Sequence, residues 1–317
     1  MALYQKSQIR KIRNEHDFRF TKSLGQNFLV DGDVVESIID GSLIGPDDLV
    51  IEIGPGMGTL TVPASERAGK LIAVELDKEL IPILKETLAG RDNVEIINED
   101  IMKVDLADLI SEKTSVKNSG GENTGKGYTS AENTGEGSSD SNTSSEYKAI
   151  RIIGNLPYYI TTSIIMKVLK EDIPAKSLTF MMQKEVADRI TARPGTKDYG
   201  ALSVSVQYHC TAEKICDAPA ECFEPRPKVD SQVLLLTLRD EKAVKVKDES
   251  VFNACVKAGF AQRRKTLTNC LTAVMGNDKE LIKKVLTEAG IDPARRAETL
   301  TIEEFGKVAD KVADSKV

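Results

Sequence analysis

The 317-residue chain has no tryptophan, two histidines and no run near eighteen consecutive apolar residues. The last absence excludes a membrane-spanning helix. The opening segment MALYQKSQIRKIRNEHDFRF lacks an apolar core and a small-residue cleavage site, so it is not read as a secretory signal. A cytoplasmic protein with five reduced cysteines is therefore expected. No CxxC pair occurs. His209, Cys210, Cys216 and Cys222 come nearest to a zinc set, but Cys210 falls in a strand-like run and the separations are too long. No metal site is expected. His16 suggests no catalytic role.

The net charge of −6 argues weakly against a nucleic-acid partner, but the charges are unevenly spread. Residues 1–28 carry +4 and residues 257–270 another +4, the latter from Lys257, Arg263, Arg264 and Lys265 with no acid. The remainder carries −14. Screening limits each charge to roughly 8–10 Å, so an acidic chain can still present a basic face. Residues 113–146 are 23 parts in 34 Ser, Thr, Asn or Gly, with Val116, Tyr128 and Ala131 the only apolar side chains. This stretch cannot bury enough surface to offset its ordering entropy and is expected to be a disordered insert. It contains one imperfect repeat, ENTGKG then ENTGEG.

Elsewhere strand and helix signals alternate. Residues 49–54, 71–76, 94–98, 150–154 and 177–182 are short β-rich runs, and helix-period segments such as 77–90 lie between them. Alternation of this kind predicts a parallel sheet covered by helices. LSVSVQYHC (202–210) and SQVLLLTL (231–238) read as an antiparallel pair finishing a seven-stranded sheet. After residue 240 the periodic segments are helical, the last opening with a capping box from Thr301 and Glu304. The organisation expected is a basic arm (1–22), an α/β domain (23–240) and a small all-helical domain (241–317).

The strand ends carry the chemistry. Glu52-Ile-Gly54-Pro-Gly56-Met-Gly58 follows the first strand. Glycines there let backbone approach a ligand that any Cβ would strike. Thr59 stands where a third glycine of the dinucleotide fingerprint would be. The GxGxG spacing suits instead the methionine end of S-adenosylmethionine, which has no pyrophosphate. Glu75 ends the second strand, placed to accept from both ribose hydroxyls, and Asp100 follows the third, placed to accept from an adenine amino group. Gly154-Asn155-Leu156-Pro157-Tyr158 ends the fourth. An exocyclic adenine amine is a poor nucleophile because its lone pair is delocalised into the ring. The Asn155 side-chain oxygen and the Leu156 carbonyl would accept its hydrogens and favour pyramidalisation, while Tyr158 stacks on the extruded base.

These stretches resemble the small-subunit ribosomal RNA adenine N6,N6-dimethyltransferase family of bacterial type. The resemblance rests on SLGQNFLVD (23–31), EIGPGMGTLT (52–61), AVELD (73–77), NEDI (98–101), NLPYYITT (155–162), FEPRPKVDS (223–231) and FAQRRKTLTN (260–269). It implies a Rossmann-like S-adenosylmethionine-dependent fold with an RNA-binding helical domain. The implied reaction dimethylates two adjacent adenosines in the 3′-terminal hairpin of small-subunit rRNA, on an immature small subunit, by a monomer that releases S-adenosylhomocysteine. By motif position Asn27 and Leu29 would line the methionine side of the cofactor. Phe223 would stack on the target base opposite Tyr158, and Arg226, Lys228, Arg263, Arg264 and Lys265 would meet RNA. Ser163 departs from the family, where proline commonly stands. The insert would leave at the amino edge of the sheet, away from the cofactor. A large-subunit dimethylase of the macrolide-resistance type shares the Asn155 and Phe223 motifs, but EIGPGMGTLT and FAQRRKTLTN favour the small-subunit type. The intact acids and Asn155 oppose a non-catalytic assembly factor. The acid-bearing, serine-poor arm opposes a mitochondrial transcription-factor relative.

Overall fold

The computed structural model describes residues 3–21, 24–114 and 147–315. Among the described residues nine strands form two sheets: β1 (Phe28–Leu29), β2 (Asp48–Ile53), β3 (Lys70–Glu75), β4 (Val94–Asn98), β5 (Ala149–Asn155), β6 (Ala175–Gln183), β7 (Cys210–Ala218), β8 (Phe223–Glu224) and β9 (Ser231–Leu238). The large sheet runs β4-β3-β2-β5-β6-β9-β7, with β9 antiparallel to both neighbours and the other pairs parallel. This is the seven-stranded Rossmann-like arrangement expected, with the antiparallel β7–β9 pair at the edge. Every residue of β2 is buried, as helices on both faces require of a central parallel strand. The order reverses between β2 and β5, which opens a crevice at the carboxyl ends of these two strands.

LSVSVQYHC is not a strand. Residues Ala201–His209 form a helix, and the edge strand is the following segment, Cys210–Ala218. The helix lies between two cores: Val204 and Tyr208 face the C-terminal helices, whereas Val206 packs with the sheet residues. Apolar residues on two helix faces at once imitate the alternation of a strand. Tyr208 stacks on Phe252, ring centroids 4.6 Å apart, and so ties the helix to the C-terminal region.

That region is helical, with principal helices Glu249–Ala261, Lys279–Glu288 and Ile302–Asp314. The last begins with the expected capping box: Thr301 N donates to Glu304 Oε2 at 2.9 Å, and Glu304 N to Thr301 Oγ1 at 3.2 Å. Within the basic N-terminal arm, Lys6–Glu15 forms a docked helix. Its Ile9 and Ile12 are buried with Met57, Leu80 and Ile83, each worth about 1.5–3 kcal/mol relative to exposure.

Lys113 and Thr114, counted with the insert, complete the helix Leu106–Thr114, where Lys113 Nζ lies 2.8 Å from Glu95. The rest of the insert, 115–146, lies outside the described residues. Beyond it the chain re-enters at the amino edge of the sheet, where Lys148 N donates to Asp47 O at 2.8 Å just before β5. None of the five cysteines is in a disulfide, and no helix among the described residues is long and apolar enough to cross a membrane.

Candidate active site

A cavity of about 990 Å³, open to solvent, occupies the crevice at the β2–β5 reversal. Asn27, Leu29, Gly54, Gly56, Glu75, Asp100, Asn155, Leu156 and Tyr158 line it. Residues expected from four separate strand ends are thus brought together, because parallel strands deliver their following loops to one edge.

The glycine turn is shaped by its neighbours. Gly56 has φ +62°, and a Cβ there would stand 3.0 Å from the Phe28 ring. Its N–H donates to Glu75 Oε2 at 3.1 Å, while Asp77 N donates to Oε1 at 2.8 Å. Glu75 therefore braces the turn as well as lining the cavity. Burial is the main cause that pushes its carboxyl up to about 7, with these backbone donors opposing. Asp100 Oδ1 accepts from Met102 N at 2.9 Å.

The loop 24–27 closes one wall. Gln26 Nε2 donates to Asp77 Oδ2 at 2.6 Å, and β1 pairs antiparallel with β8, Leu29 opposite Phe223. Asn27 Nδ2 donates to Gly25 O at 3.0 Å. Asn155 Nδ2 donates to Asn27 O at 2.9 Å. A carbonyl only accepts, so the amide end facing Asn27 must be the NH₂ group, which leaves the Asn155 oxygen as the acceptor end. Leu156 N donates to Met181 O at 3.1 Å, fixing the peptide beside it. Tyr158 is half-buried, its hydroxyl 2.7 Å from Ser231 Oγ. Burial pushes its phenol up, so it stays neutral.

Phe223 differs from expectation. It is 1% exposed, packed with Leu29, Ile153, Met181 and Val233, and it does not line the cavity. Its pairing across from Leu29 turns the ring into the core rather than toward a base. Arg226 and Lys228 are exposed on the loop that follows, Arg226 3.5 Å from Glu221. In the FAQRRKTLTN run, Arg263 reaches the Lys197 and Tyr199 carbonyls and lies 3.6 Å from Glu298, bracing the chain near residue 198. Arg264 and Lys265 are exposed, and neither forms an ion pair among the described residues.

Sequence reasoning passed over Glu52. It is 1% exposed, lines the cavity, and its Oε2 has no hydrogen-bond partner among the described residues. Burial pushes its carboxyl up to about 8, with the Thr61 hydroxyl opposing and Glu75 adding to the rise. Its place before the GxGxG spacing was the available signal. Among the described residues no group of three His, Cys, Asp or Glu could hold a metal.

The strand order, the glycine turn and the acids at successive strand ends define a Rossmann-like S-adenosylmethionine-dependent methyltransferase. The chain belongs to the ribosomal RNA adenine dimethylase family, which it matches over residues 17–314. It is 46% identical over 305 residues to the Ribosomal RNA small subunit methyltransferase A of Alkaliphilus oremlandii, covering 96% of each chain. The enzyme of the same description from Clostridioides difficile is 44% identical over 308 residues, covering 97% of this chain and 96% of that one. A solved dimethyladenosine transferase from Plasmodium falciparum shares the fold, with a TM-score of 0.68 and 23% identity over 89% of this chain and 95% of that one.

Proposed function

We propose that this enzyme dimethylates N6 of two adjacent adenosines in the 3′-terminal hairpin of small-subunit rRNA. It acts in the cytoplasm as a monomer on an immature small subunit, releases S-adenosylhomocysteine and uses no metal. The near-full-length identity to relatives described as small-subunit methyltransferases supports that choice of RNA. The orientation of Asn155 is the observation that carries the chemistry.

The cavity fits the cofactor. Glu52 offers a buried acceptor without a partner among the described residues, suited to a cationic ammonium, and Gly54 and Gly56 present no side chain to the wall beside it. Glu75 is placed for ribose hydroxyls and Asp100 for an adenine amine, with Asn27 and Leu29 on the methionine side. When bound, S-adenosylmethionine supplies an electrophilic methyl group on a sulfonium. Asn155 Oδ1 and the Leu156 carbonyl accept the two hydrogens of the target amine and direct its lone pair. Tyr158, held by Ser231, offers a ring to the extruded base. No strong base is needed, because the methylated amine is cationic and loses its proton readily. The residues contribute positioning and electrostatic alignment. Arg226, Lys228, Arg264 and Lys265 are exposed cations suited to phosphates, whereas the Arg263 guanidinium is used on the Lys197 and Tyr199 carbonyls.

The test is transfer of labelled methyl from S-adenosylmethionine to unmethylated small or large subunits, followed by mapping of the modified adenines. Label confined to two adjacent small-subunit adenosines is expected. Label in large-subunit RNA, or none in either, would overturn the reading.

A further inference from the structure

Two tyrosines follow one another at the mouth of the cavity, and they are held differently. Tyr158 is half-buried and tied to Ser231. Tyr159 also lines the cavity but is 56% exposed. Its ring rests on the backbone of Gly25: a Cβ at that glycine would stand 3.3 Å from Tyr159 Cδ1 and 3.5 Å from Cε1. Gly25 has φ +64°, so this close approach and the left-handed backbone both require glycine. The ring is thus backed by the loop that carries Asn27, on which Asn155 is anchored. The rest of the ring is left open to solvent beside the cavity.

An exposed aromatic held against backbone has few conformations to lose when a planar group covers it. A base drawn out of a helical stack leaves its neighbour with a bare face. An aromatic surface at the mouth of the cavity replaces the lost stacking partner. Phe223 does not offer that surface, since its ring lies in the core. We propose that Tyr159 stacks on the RNA base adjacent to the adenosine held in the cavity, and so positions the substrate. The inference rests on the function proposed above and adds a residue in contact with the second nucleotide.

The experiment compares wild type, Tyr159→Ala and Tyr159→Phe in methyl transfer to unmethylated small subunits, with cofactor affinity measured by calorimetry. Base–aromatic stacking losses correspond to a roughly 5- to 150-fold rise in KM for the subunit in the alanine variant. The phenylalanine variant should restore KM to near wild type, because the ring and not the hydroxyl does the stacking. The Kd for S-adenosylmethionine should stay within about threefold of wild type in both. An unchanged KM in the alanine variant overturns the inference while leaving the function intact. So does a lost cofactor affinity with unchanged KM, which would make Tyr159 a cover for the cofactor. Failure of Tyr159→Phe to restore KM also overturns it. No transfer by wild type would overturn the function itself, and the inference with it.

Discussion

Replacing Glu52 by glutamine should flatten the pH dependence of stability of the cofactor-free protein. Glu52 is buried, its Oε2 has no hydrogen-bond partner among the described residues, and its carboxyl is pushed up to about 8, mainly by burial, with the Thr61 hydroxyl opposing and Glu75 adding to the rise. A carboxyl raised in the folded state favours folding below its unfolded value and loses that contribution as pH rises through the folded value. Here the loss starts near 4.5 and ends near 8. At pH 7 the folded protein must hold a proton that the unfolded chain has released. At 1.36 kcal/mol per pKa unit, this costs about 3 kcal/mol. The amide of Glu52→Gln does not titrate. Its own unpartnered nitrogen has a cost, but one independent of pH. Urea unfolding of both proteins between pH 5 and pH 7 should therefore show the variant gaining about 2–3 kcal/mol on wild type. Part of the slope should survive in the variant, because Glu75 is raised to about 7 and titrates in the same window. Two parallel stability curves would refute the reasoning, since Glu52 would then titrate alike in both states.

Three further outcomes follow from the same geometry. Asn155→Ala should lower kcat by about 10²–10³-fold with subunit binding nearly unchanged, measured by single-turnover transfer and by filter binding. Gly56→Ala should cost about 1–3 kcal/mol of stability in urea unfolding, because it forces a left-handed alanine against Phe28. Deleting residues 115–145 should leave methyl transfer intact, since the chain re-enters β5 at the amino edge of the sheet; a large loss of activity would contradict that placement.

The site was legible in the sequence because its parts are local. Gly54, Glu75, Asp100 and Asn155 each follow a short β-rich run, and once those runs form a parallel sheet their ends share one edge. The rest depended on contacts between distant segments. The helix Ala201–His209 looked like a strand because it is buried on two sides, and which sides are covered is not a local property. The ring of Phe223 turns inward because residues 28–29 pair with 223–224 across nearly two hundred residues of chain. Arg263 reads as one cation of a basic run, yet its guanidinium is used on the carbonyls of residues 197 and 199.

The sequence by itself determined the fold class, the family and the identity of the acids and the amide at the strand ends. Those follow from composition and spacing, which the chain carries before it folds. Only the tertiary structure decided that Glu52 is a buried acceptor without a partner among the described residues, that Asn155 turns its oxygen away from Asn27, and that Tyr159 rather than Phe223 presents an open ring. The physical reason is that burial and hydrogen-bond pairing belong to pairs of groups far apart in the chain, and the cavity exists only where they meet.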